Sequence, residues 1–246
     1  MLLMSISCCL LLLPLTAVDD WRELTAKDSA NRALVAEKNG NFQEARKSLD
    51  LAIKLQPRWA KLYSQRGGVH FKLAMIKESL ADFDEQIKLN PGDAAAHWRR
   101  GLTLYYADKF KDGVAQFITS DKAEPEDVEN AVWHLLCNAK VIGAEEARKE
   151  LLKVRQDSRV PMMEVYSLFA GKSTVEKVMA AAEAGQVSDA ERKSRRFYAH
   201  LYCGLYEEMM GQQTKSLEFI NKAVKDFSVD HYMIDVARVH LKLRQK

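Results

Sequence analysis

The sequence predicts an all-α fold, a solenoid of stacked helix–turn–helix units, and three observations carry that prediction. Pro57, Pro91 and Pro125 recur every 34 residues and close the related segments LDLAIKLQP, FDEQIKLNP and FITSDKAEP. In the same register, small residues recur at Ala33, Gly67 and Gly101 and at Ala45, Ser79 and Gly113, with large apolar residues at Leu49, Phe83 and Phe117. A fixed period of this length marks units that bury their apolar faces against one another. Finally, 11 Gly and 5 Pro in 246 residues are too few for the turns of an all-β chain, and 47% hydrophobic against 29% charged residues is the balance of a folded protein.

Taken in order, the chain opens on Met1 to Val18, which carries no charge and holds the run Leu10, Leu11, Leu12, Leu13 and Leu15. Ala17 offers a small residue before Asp19-Asp20. A short apolar core with a small-residue exit reads as a secretory signal over 1–17, cleaved near Ala17. No Lys or Arg precedes the run; a retained membrane anchor and a misplaced start codon are the alternatives. On the first reading the protein is exported, periplasmic or secreted, and meets a membrane only if the segment is retained. Cys8 and Cys9 fall within it, which leaves Cys137 and Cys203 as two buried free thiols, so packing rather than disulfides holds the fold.

Residues 18–156 form an N-terminal stack with three units at 26–59, 60–93 and 94–127. Each is a helix, a tight turn and a second helix. The small residues let the two helices approach closely, Asn39-Gly40-Asn41 makes the first turn, and the prolines stop the second helices. DVENAVWHLLCNAKV and AEEARKELLKV make a degenerate fourth pair. Residues 157–246 are irregular. Val160-Pro161 breaks the pattern before the short helix MMEVYSLFAG, and Ser173 and Ser188, each three residues before a Glu (Glu176, Glu191), start helices through capping boxes. The stretch 157–185 is the place for a bend or an interface. A late unit spans 197–230, with Gly204, Ser216 and Ile220 in the small, small and large positions, and HYMIDVARVHLKL is an amphipathic helix that caps the stack.

These positions resemble the tetratricopeptide-repeat family over about Ala26 to Leu243. The resemblance implies a right-handed superhelical stack whose first helices line a concave groove. At DVENAVWHLLC and HYMIDVARVH the chain also resembles bacterial NlpI-type lipoproteins. That narrower likeness implies an adaptor at the cell envelope that brings proteases and cell-wall hydrolases together and dimerises. No Cys stands directly after Ala17, so the residue that would bear the lipid anchor of those proteins is not in place.

The groove is the candidate site. In this register its lining is Lys27, Leu34 and Lys38, then Lys61, Ser64, Gly68, Phe71 and Lys72, then Trp98, Arg99, Leu102, Tyr105 and Tyr106. Aromatic anchors with basic residues at one end suit an extended or helical peptide; packing between units is the alternative use of the same aromatics. A carboxylate clamp of the chaperone-binding kind is absent, since its places hold Ala30, Leu34, Gln65, Ala95 and Arg99, and only Arg99 fits. His134 with Cys137 and His200 with Cys203 are one helical turn apart and are the candidate metal-ligating pairs. Ala170-Gly171-Lys172-Ser173-Thr174 resembles the end of a phosphate loop but lacks its earlier glycine, where Tyr166 stands, and reads as a helix end followed by a capping Ser. No nucleophile motif appears, no cofactor is expected, and dispersed basic residues at a net charge of +3 argue against nucleic acid. The expected function is a non-enzymatic adaptor for a protein or peptide, with a homodimer through the C-terminal half as an option. The alternatives are a structural subunit using its convex face and C-terminal half, and a metal protein or enzyme using the His–Cys pairs.

Overall fold

Helix follows helix along the chain because each apolar stripe ends at a turn residue or a proline. The computed structural model describes residues 15–227 and 229–245, and of 15–19 the backbone alone. The apolar segment before residue 15, with Cys8 and Cys9, lies outside the described residues, and the cleavage point expected near Ala17 falls in the first turn of the first helix. Among the described residues there are thirteen α-helices and no strand, and no helix is long and apolar enough to cross a membrane.

The first six helices pair as α1 (Leu15–Lys38) with α2 (Phe42–Leu55), α3 (Ala60–Lys72) with α4 (Ile76–Leu89), and α5 (Trp98–Tyr106) with α6 (Phe110–Ala123). The repeated small residues are where paired helices touch. A Cβ on Gly67 would come within 2.8 Å of the Phe83 ring, and one on Gly101 within 2.6 Å of the Phe117 ring. The late unit repeats this closeness between α11 (Asp189–Met209) and α12 (Gln213–Asp226), where a Cβ on Gly204 would lie 2.4 Å from Ile220 and 3.0 Å from the Ser216 carbonyl. Backbone is on one side of Gly204, so little can give way. Gly204→Val is expected to lower unfolding stability by about 3 kcal/mol, the upper end of overpacking costs, as read by urea denaturation.

Charge also follows the period. Arg66 reaches Asp82 in its own unit (2.7 Å) and Asp50 in the unit before (2.9 Å). Arg100, 34 residues on, reaches Gln116 (3.0 Å) and Asp84 (2.8 Å) in the same two relations. Each guanidinium therefore ties a unit to its predecessor with a forked donor that lysine could not reproduce. Burial alone would raise the carboxyl of Asp82, but His70 and Arg66 outweigh it and hold it below its ordinary value.

Beyond Pro125 the pattern changes. Helix α7 (Val128–Ile142) is buried on nearly every side, and α8 (Ala144–Lys149) is only six residues long. The sequence expectation of a full helix through AEEARKELLKV is therefore corrected. Side chains engage the following backbone: Glu126 accepts from Arg155 N (2.5 Å), and Tyr166 OH donates to Leu152 O (3.1 Å). Two short helices, α9 (Met162–Phe169) and α10 (Val175–Glu183), lead to α11. Gly171 at φ +74 closes α9, with Lys172 N donating to Ser167 O (2.8 Å), so the phosphate-loop look-alike is a helix end. The cap of α10 is Thr174, which accepts from Lys177 N, rather than Ser173, whose hydroxyl turns to Glu164. Ser188 caps α11 and accepts from Glu191 N (3.2 Å).

The last helix, α13 (Tyr232–Arg244), packs on α12 as the end of the stack and also lies back along the concave side of the first units. Lys242 Nζ donates to Leu73 O (2.9 Å), Tyr106 OH bonds His240 Nδ1 (3.2 Å), and Tyr232 stacks on Phe71 with ring centroids 5.8 Å apart. Val236, Ala237, Val239 and His240 are fully enclosed. The helix is amphipathic as the sequence predicts, with Arg238 and Lys242 one turn apart on its exposed stripe; its apolar face belongs to a buried cluster that runs from Phe71 to Leu241.

Candidate functional site

Of the groove residues read from the sequence, the structure encloses the aromatics and leaves only one of them at the surface. Phe71, Leu102, Tyr105 and Tyr106 are buried, so the expectation that they line an open groove is corrected; α11 and α13 cover them. Tyr105 OH donates to Glu208 Oε2 (3.0 Å), and Arg244 Nε holds the other oxygen of that carboxylate (2.6 Å). Ser64 is buried and accepts from Arg99 (2.9 Å), which also lies over the Phe83 ring. Gly68 is buried beside the same guanidinium. Lys72 is drawn between Glu37 (2.8 Å) and Asp235 (3.0 Å), an ion triad that joins α1, α3 and α13. Burial pulls the Lys72 ammonium down, but the two carboxylates outweigh it and hold it above its ordinary value. Lys27, Lys38 and Lys61 are exposed, and Leu34 is exposed on the outer face of α1.

Trp98 remains 39% exposed at the point where α13 begins, its ring edge-on to Tyr232 at 5.1 Å. Beside it opens a cavity of about 220 Å³. Leu102, Phe117, Trp133 and Met233 give the cavity apolar walls, and Glu124, Asp127 and Glu129 make its polar side. Sequence reasoning missed this acidic group because it straddles Pro125, from the end of α6 to the first turn of α7, where the repeat register stops. It also missed Arg159, which reaches Asp127 (2.5 Å), Glu129 (2.7 Å) and Asp157 (2.6 Å) from the nonhelical segment. Burial raises the Glu129 carboxyl, and Arg159 and the Tyr202 hydroxyl (2.6 Å) only partly offset that.

The two His–Cys pairs are not brought into one metal site: among the described residues no three His, Cys, Asp or Glu side chains are placed to hold an ion. Cys137 and Cys203 are free and buried; burial alone drives the Cys137 thiol far up, and burial with nearby Glu207 and Glu176 pushes Cys203 up to about 12. His200 Nδ1–H donates to Arg196 O (2.7 Å), and His134 is buried in α7.

Two other histidines make the fold acid-sensitive. Burial lowers His97 to about 4, helped by Arg99 and Arg100. Its Nε2–H donates to Gln86 Oε1 (2.6 Å), while Nδ1 accepts from Arg100 N at the start of α5. His240 is also lowered to about 4, by burial against Glu208 with Arg244 and Lys140 nearby. Both are neutral in the fold, whereas an unfolded histidine titrates near 6.5. Their contribution is thus complete above pH 6.5 and is lost as pH falls from 6.5 towards 4. Between pH 7.5 and 5.0 each is expected to remove about 2 kcal/mol of unfolding stability, measured by urea denaturation at the two pH values, with His240→Asn reducing the drop.

A tetratricopeptide repeat model matches residues 30–58. No curated protein sequence matches the chain. Among solved structures, a tetratricopeptide repeat protein of Parabacteroides merdae superposes with a TM-score of 0.57 at 16% identity, over 91% of this chain and 85% of its own. MamA of Desulfovibrio magneticus superposes at 0.51 with 15% identity, over 81% and 93%. PilW, a type IV pilus biogenesis factor, superposes at 0.50 with 15% identity, over 86% and 97%. The 34-residue register, the close glycine–ring contacts and these likenesses agree: the chain has the fold of a tetratricopeptide-repeat solenoid, with α13 packed along the first units.

Proposed function

We propose that the protein is a non-enzymatic adaptor that holds a protein partner at the mouth of its filled groove, around Trp98. The observation that carries this reading is Trp98 itself, a large aromatic left 39% exposed over a cavity while its register mates Tyr105 and Tyr106 are enclosed. Exposed aromatics beside a preformed recess are what binding hot spots are made of. The fold supports the same reading, since tetratricopeptide stacks serve as protein-binding scaffolds, although a fold alone hosts many functions. The uncharged apolar stretch Met1 to Val18 and the likeness to NlpI-type proteins support a setting at the cell envelope. The test compares the proteins retained from native extract by the full chain and by Trp98→Ala. Loss of one specific protein from the variant, with the variant still folded, supports the adaptor; identical sets overturn it.

A second surface favours a further use as an assembly subunit. The outer face of α1, the first helix of the stack, exposes Trp21 (48%), Leu24 (69%), Leu34 and Val35 (62%). Terminal repeats ordinarily turn a polar face outward. Sedimentation of wild type against Leu24→Asp across a concentration series tests end-on association; matching monomeric profiles would end that reading.

A further inference from the structure

We propose that the cavity beside Trp98 receives one basic side chain of the partner, the ammonium or guanidinium group of a lysine or arginine; this rests on the adaptor reading above. Size is the first argument. At about 220 Å³ the cavity is below the roughly 300–1,000 Å³ that drug-sized ligands occupy, and a single long side chain is the natural fit.

Its two-sided lining is the second argument. Leu102, Phe117, Trp133 and Met233 offer an apolar bed for a methylene stem, and the half-exposed Trp98 adds its indole to the lining. On the polar side, Asp127 and Glu129 share a single cation, Arg159, with Asp157. Glu124 adds a fourth carboxylate, exposed and without a hydrogen bond or ion pair among the described residues. The three lining carboxylates, with Asp157 also drawing on Arg159, outnumber that guanidinium and the His231 ring on the same lining and leave the recess negative.

A buried acceptor is the third argument. Asn130, on the cavity wall and only 6% exposed, donates through Nδ2 to Phe117 O (3.0 Å). Because a carbonyl can only accept, that bond fixes the amide orientation and leaves Oδ1 as the free acceptor; it has no partner among the described residues. It is sealed just beneath the cavity wall, where an N–H donor that reached it would satisfy it and a carboxylate or carbonyl would not.

The experiment uses the full chain with its four tryptophans labelled on the indole nitrogen, and Trp98→Phe to identify that resonance. The probes are acetylated alanine pentapeptides centred on arginine, lysine, norleucine or glutamate, and free 1,4-diaminobutane. The arginine or lysine peptide is expected to shift Trp98 and Trp133 and to bind at least tenfold tighter than the norleucine peptide. Glu124→Gln, a surface change that spares folding, is expected to erase most of that difference. Equal binding of norleucine, or indifference to Glu124→Gln, overturns the inference. Diaminobutane binding as tightly as the lysine peptide overturns the assignment to a partner's side chain in favour of a free amine. If cellular capture still depends on Trp98 while the basic peptides shift nothing, the cation site falls and the adaptor stands. If capture ignores Trp98, the adaptor reading itself falls.

Discussion

A chain ending at Asp230 is expected to lose most of its stability and to bind a hydrophobic dye strongly. Removal of α13 strips cover from Phe71, Tyr105 and Tyr106 and discards the buried Met233, Ile234, Val236, Val239 and Leu241. Each such side chain contributes about 1.5–3 kcal/mol when fully buried, and ordering the helix offsets part of that. A net loss of about 5–10 kcal/mol is comparable to the whole stability of an ordinary domain, about 5–15 kcal/mol. Urea denaturation with dye fluorescence checks it. A terminal cap with one packed face would cost only about 1–3 kcal/mol, so a shallow loss would show that α13 is dispensable to the units it lies on.

The second large effect separates two aromatics that share one helix face, seven residues apart. Tyr105→Ala is expected to destabilise by about 3–5 kcal/mol, the range for removing a buried aromatic ring. It empties a site where Tyr105 meets Tyr106, Phe110 and Trp133 edge-to-face, and it takes a donor from the buried Glu208 carboxylate. For a chain of this length the melting temperature should fall by roughly 10 °C. Trp98→Ala should cost only about 1–2 kcal/mol, since the ring is already 39% exposed. Tyr105 variants therefore report on folding, and a partner lost from them says nothing about recognition; Trp98 is the clean probe.

How legible these features were depends on how far apart in sequence their makers lie. Gly101 and Phe117, or Gly204 and Ile220, are sixteen residues apart within one unit, and steric demand at a helix crossing writes both into the period. The contacts of α13 join Leu73 to Lys242 and Tyr106 to His240, separated by 169 and 134 residues, and no periodic pattern records a pairing that long. One local trace was present. Ile234, Val236, Ala237, Val239 and Leu241 make an apolar face broader than a single stripe, and leave Arg238 and Lys242 to solvent. The acidic recess left less, because Arg159 and Glu124 lie in connections whose geometry comes from long-range side-chain bonds. Trp98 and Tyr105 were indistinguishable in the register, and only the point where Tyr232 starts α13 leaves one wet and the other dry.

The closing of the concave side by the last helix also sets a clock on biosynthesis. An open solenoid can consolidate unit by unit as it leaves the ribosome, since each repeat needs only its neighbours. Here Tyr106 waits for His240, 134 residues later, which at translation speeds of about 5–20 residues per second is roughly 7–27 s. For that interval the nascent first units present Phe71, Tyr105 and Tyr106 as an unfilled apolar trough, open to chaperones and to wrong partners alike. Helix α13 ends that exposure when it docks, and of the trough only the recess at Trp98 is left.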